Sequence, residues 1–163
     1  MLGIPGLDAW GVLHACCGLA AIAFGLPVVL LRKGTMIHRR FGLFYVTCMV
    51  MLNLTALSIY DLFGRFGVFH WLAVASLVTV AAGLLHVWLR RPRGSWLECH
   101  GHAMSWSYAG LLAAFFAEIG ARLPGVGFAT GVLVPTLAVT AIAAVLIHTS
   151  VPRTSGRLRM EQP

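Results

Sequence analysis

Long apolar stretches alternate along the chain with short joints rich in glycine, proline and arginine, and this alternation predicts five helices. They cover residues 8–31, 38–62, 68–89, 99–121 and 128–148. At ~1.5 Å per residue each is long enough to cross most or all of ~30 Å of hydrocarbon. The joints contain the expected breakers: Gly34 after the first stretch, Gly64 and Gly67 after the second, and Leu123-Pro124-Gly125 before the fifth. The longest polar joint, Arg90 to Glu98, holds Pro92 and Gly94, which argue against one helix passing through it.

Composition turns these stretches into membrane spans. Hydrophobic residues make up 59% of the 163 and charged residues only 10%, with a mean hydropathy of +0.85, more than a water-soluble domain of this length can bury. The chain therefore reads as a single all-α integral membrane domain in the bilayer. A formal net charge of +7 could suggest nucleic acid, but the basic residues lie in short runs between apolar segments, so no nucleic-acid partner is expected. Ala21-Ile22-Ala23 resembles a signal cleavage site. No Lys or Arg precedes it and the apolar run continues beyond it, so the first segment is expected to remain as a span. Cys16, Cys17 and Cys48 fall within apolar runs and Cys99 in a joint, which suits packing better than a disulfide framework.

Charge sets the orientation. Arg32, Lys33, Arg39 and Arg40 follow the first span, Arg90, Arg91 and Arg93 the third, and Arg153, Arg157 and Arg159 the fifth. The alternate joints hold only Arg65 and Arg122, together with Asp8, Asp61 and Glu118. The positive-inside rule then predicts the N-terminus outside and the C-terminus in the cytoplasm.

In that frame the histidines fall at two depths. His14 and His70 lie toward the outer ends of the first and third spans, and His38 and His100 at the cytoplasmic starts of the second and fourth, with His102 close behind. Two imidazoles at one depth on facing helices suit axial ligation of haem iron. His14 and His38 are each followed four residues later by glycine, Gly18 and Gly42, on the same helix face, leaving room for a flat group. Arg39 and Arg40, with Arg90 and Arg91, are topology determinants first and candidate partners for haem propionates second. The plainer alternative makes each histidine a helix–helix hydrogen-bonding or interfacial residue. His86 and His148 fit that description, although either could replace His38 or His100. Glu98, Cys99, His100 and His102 could together hold zinc or copper, but no convergent HxxxH or CxxC spacing presents them. Cys-x-x-Cys-His is absent, which excludes covalent c-type haem, and no hydrolase or phosphate-binding motif is present. Glu118 and Arg122, four apart, are expected to pair.

His14 with the small residues after it, Lys33-Gly34, His38-Arg39-Arg40, Gly42, Tyr45, His70, and His100 with Met104 and Tyr108-Ala109-Gly110 resemble the pattern of a family of small predicted bacterial membrane proteins, domain of unknown function 2306. Its helical core is similar to that of cytochrome b561, in which alternate helices supply histidine pairs to two b haems. The resemblance runs from His14 to Pro124. This chain departs from it at Ala103, where the family has Trp, at Trp106, where a basic residue is usual, and at Leu123-Pro124-Gly125 in place of Pro-Gly-Arg.

The resemblance implies a four-helix core plus one extra helix in the bacterial inner membrane. It also implies one or two b haems, with His14 and His70 binding the outer one and His38 and His100 the inner one. The leading expectation is thus a transmembrane electron-transfer protein, of oxidoreductase type, with quinol or another small donor. Two other classes remain open: a zinc- or copper-binding or transporting protein, and a cofactor-free subunit of a homodimer or larger complex. In the last, Gly110, Ala113 and Ala114 would form a close-packing face.

Overall fold

The computed structural model describes residues 9–60 and 64–160, and among them only helices and connecting loops occur. α1 spans Ala9–Leu30, α2 Met36–Ser58, α3 Val68–Leu89, α4 Trp96–Ala121 and α5 Phe128–Met160. Asp8, Asp61 and Leu62, which figure in the expected ends and joints, lie outside the described residues. Among the described residues, four helices are long and apolar enough to cross a membrane: α1, α2, α3 and the Phe128–Gly156 part of α5. α4 is long enough but more polar, because its first half carries Glu98, His100, His102, Ser105 and Ser107. It is also well buried, at Ser107, Ala109, Leu111, Ala113, Ala117 and Gly120.

Three boundaries differ from expectation. α2 ends at Ser58, with Ile59 extended, rather than at residue 62. α4 begins at Trp96 rather than at Cys99. α5 continues through Pro152 to Met160, beyond the expected end of the fifth span at His148 and into the basic residues that follow it. Hydroxyls in this region bond back to carbonyls of their own helix: Thr149 to Val145 at 2.9 Å, Thr154 to Ser150 at 2.9 Å and Ser155 to Val151 at 3.0 Å. These side chains are satisfied without leaving the helix, so only one backbone donor is lost, at Pro152.

The chain forms two compact units, Met1–Val78 and Thr79–Pro163, so the two halves of α3 belong to different units. In the first, α1 packs against α2. The Phe24 ring meets Phe41 and Phe44 at centroid distances of 6.1 and 5.1 Å, and Leu52 approaches Gly18. Tyr45, Met49 and Thr55 of α2 are almost fully buried. Asn53 donates to Met49 O at 2.7 Å and to Ser76 Oγ at 3.1 Å, tying α2 to α3.

The joint between α1 and α2 is capped from both sides. Lys33 Nζ donates to the carbonyls of Val28 and Val29, at 2.6 and 2.5 Å, closing the end of α1. Burial pushes its amine below the usual range. Gly34 then takes φ +78°, where a side chain would be strained, and Thr35 Oγ1 accepts from the backbone N–H of His38 at 3.2 Å to open α2.

In the second unit α4 packs against α5. The closest approach is backbone to backbone: a methyl added at Gly120 would collide with the Gly131 carbonyl, and one at Gly131 with that of Gly120. Each glycine stands four residues before a proline, Pro124 and Pro135. Neither carbonyl therefore has the usual i+4 N–H; that of Gly120 accepts instead from the backbone N–H of Leu123 at 3.2 Å, and Cα–H groups of the facing glycine can approach. At the other end of the pair Val151 leans on Gly101. Between α3 and α4, Met104 and Ala103 fill the space in front of Gly83. The expected Glu118–Arg122 pair is present at 3.0 Å, on the surface.

Candidate functional site

The ring nitrogens of the histidines sort them. A carbonyl oxygen only accepts, so an imidazole nitrogen bonded to one carries the proton, and in the neutral ring the other nitrogen keeps a lone pair. That second nitrogen is the one able to ligate metal. A metal-binding histidine characteristically donates its remaining N–H to a protein acceptor.

His14 is of this kind. Its Nδ1 lies 3.1 Å from Thr55 Oγ1. The single Thr55 hydroxyl proton points at the carbonyls of its own helix, Leu52 at 2.8 Å and Met51 at 3.0 Å. The hydroxyl oxygen therefore accepts from His14 Nδ1–H, and Nε2 holds the lone pair. Beside it, a side-chain carbon at Gly18 would be in ordinary contact with Leu52 Cδ1 at 3.5 Å, so Leu52 fills the space expected for a flat group.

His100 has the same form, with Nδ1–H donating across from α4 to the Gly83 carbonyl of α3 at 2.8 Å. His86 donates Nδ1–H to Ala82 O, four residues back on its own helix, at 2.6 Å. With Leu85, Leu89, Arg91 and Pro92 it lines an open groove. His86 and His100 are thus anchored to adjacent carbonyls, and in the neutral ring each keeps its lone pair on Nε2.

His70 is the reverse case. It is the third residue of α3, and its Nδ1 accepts from the backbone N–H of Gly67, the residue before the helix, at 3.1 Å. This is the reach-back half of a capping box, with histidine in the place usually taken by Glu or Gln. Accepting at Nδ1 leaves the proton on Nε2. His70 is only 4% exposed, and its Nε2 has no hydrogen-bond partner among the described residues. The rings of Tyr60 and Phe66 flank it at 4.6 and 4.8 Å.

His38 occupies the same third position in α2, where its backbone N–H meets Thr35. Nothing lies within 4 Å of where a side chain at Gly42 would begin, so the space beside that residue is open. Arg39 and Arg40 are exposed on the first turn of α2. His102 stands 4.0 Å from Glu98 Oε1 and 5.9 Å, ring to ring, from His148. Cys99 is a half-buried free thiol. No three His, Cys, Asp or Glu side chains gather into a metal-binding group among the described residues.

The proposed outer pair, His14 and His70, thus falls within the first unit, whereas His38 belongs to the first and His100 to the second. Sequence reasoning missed the residues that set the proton positions: Thr55, Gly67 and Gly83. Only Gly67 left a local signal, as Gly-x-x-His at a helix start.

A family model described as predicted membrane protein (DUF2306) matches residues 11–154, most of the chain, and the protein belongs to that family. No curated protein and no solved structure matches it.

Proposed function

We propose that this member of the DUF2306 membrane proteins is a b-type cytochrome of the bacterial inner membrane, with His14 in the first unit and His100 in the second as haem ligands. A bound haem would supply one-electron storage between ferric and ferrous iron. The observation that supports the reading is the shared state of these two imidazoles: Nδ1–H committed to an acceptor on another helix, Nε2 left as a lone pair. His70 fits the ligand role less well than its sequence position suggests, because ligation through Nε2 requires giving up the Gly67 bond. Arg39, Arg40, Arg90 and Arg91 remain the candidate partners for propionates.

In the same reading the N-terminus is outside, the C-terminus is cytoplasmic, and α4 crosses as a fifth span. With only four crossings, Arg90, Arg91 and Arg93 would lie on the side opposite Arg153, against the positive-inside rule. Burial of α4 within the protein supports its crossing despite its polar first half. A quinol is the donor class that suits a site reached from the bilayer.

The test is the visible spectrum of the detergent-purified protein. A Soret band with a sharpened alpha band on reduction is expected. H14A and H100A should each remove about half of it if the two units bind haem independently. A colourless preparation from haem-replete cells overturns the reading, and stoichiometric zinc or copper in that preparation would favour a metal-binding role.

A further inference from the structure

Burying an N–H without an acceptor costs about 1–3 kcal/mol, and folded proteins keep few such groups. His70 Nε2–H is one among the described residues. Capping does not require it: the Gly67 bond uses Nδ1, and an ionised Glu would accept that bond without bringing a donor.

The surroundings indicate what the donor could serve. The imidazole lies beside two aromatic rings, those of Tyr60 and Phe66, both tilted against it, with Trp71 edge-on to Phe66 at a centroid distance of 5.2 Å. Tyr60, Phe66 and Trp71 are themselves 44%, 46% and 67% exposed, so this corner opens onto the surface at a helix end. Phe66 stands between Gly64, at φ +61°, and Gly67, in the joint that leads into α3. A neutral donor beside ring faces suits a neutral carbonyl on a flat ring; a phosphate would favour a guanidinium fork.

We propose that His70, Tyr60 and Phe66 form a binding site for a lipid-soluble quinone, with His70 Nε2–H donating to one quinone carbonyl and the two aromatic rings stacking on its head group. The choice of a quinone over other flat carbonyl compounds rests on the electron-transfer reading. The donor site itself needs no haem.

The experiment uses the full chain in zwitterionic lipid nanodiscs with a short-chain ubiquinone labelled with 13C at one carbonyl. Binding to the wild type is expected to shift that carbonyl's infrared band to lower frequency. H70E keeps an acceptor for Gly67 N–H and, ionised, has no side-chain donor. It should lose the band shift and bind the quinone about tenfold more weakly. H70Q, which keeps both the acceptor and an amide N–H, should retain part of the shift, and H70M, with no N–H in its side chain, replaces H70E if that variant fails to fold.

A quinone band unchanged from protein-free discs overturns the proposal, as does an H70E or H70M protein that binds like the wild type. So does a 15N spectrum showing Nε2–H already hydrogen-bonded in the quinone-free protein, or anionic lipid vesicles that displace the quinone. Absence of a Soret band bears on the cytochrome reading alone and leaves this test intact.

Discussion

The two units join their helices by opposite means. In the first, side chains do the joining: a histidine on a threonine, an asparagine on a serine, three phenylalanines together, and a leucine in front of a glycine. In the second, the backbone itself takes part, through facing glycines on α4 and α5 and a carbonyl of α3 that receives His100. An imidazole held by a side chain can be released by one substitution, whereas one held by a carbonyl can be released only by moving a helix.

The largest expected effect tests the backbone contact. G120A should destabilise the protein by about 2–3 kcal/mol, because the new methyl meets a carbonyl that cannot rotate away. G18A, facing only Leu52 at ordinary contact distance, should be close to neutral. Equal losses in denaturant melts of the two variants would break the comparison.

A smaller effect separates the two histidines. T55V removes the acceptor for His14 Nδ1–H while preserving shape, and should cost about 1 kcal/mol. It should also free the imidazole to change tautomer, visible in its 15N shifts, without altering His100. The counterpart is G83A, whose methyl would lie 2.6 Å from Met104 Sδ. It should displace α4 and lengthen the His100 bond, with a cost of about 1–2 kcal/mol moderated by the flexible thioether. If T55V disturbed His100 as much as G83A does, the contrast would fail.

The smallest effect concerns the end of α1. K33A should cost about 0.5–1 kcal/mol and speed amide exchange at the last turn of α1. Its amine is held below its usual range, so between that lowered value and 10.5 the unfolded chain binds more protons than the folded one. Stability should therefore rise slightly with pH across that window, and K33A should abolish the slope.

Helix number and joints were legible because apolar runs and breakers act locally. Helix rotation was not, since segments bound for lipid lack the one-sided apolar stripe that would reveal which face turns inward. Thr55 therefore could not be matched to His14 across 41 residues, nor Gly83 to His100 across 17, although the depths of both histidines could be read. The close-packing face was partly visible. Ala113 is buried as expected, but Gly110 is exposed, and the buried small residues fall at Ala109, Ala113, Ala117 and Gly120. Four-residue spacing, together with glycines placed four before prolines, was the informative pattern. His70 was read by its depth alone, whereas its place three residues after Gly67 also gives it a capping role.

Lys33 is the one lysine in the sequence, and its amine is engaged by the carbonyls that end α1. Burial raises its neutral, nucleophilic fraction, while acylation at this position first has to break both hydrogen bonds and so uncap α1. Apart from the α-amino group, an amine-reactive label added to the intact protein thus reports on that uncapping.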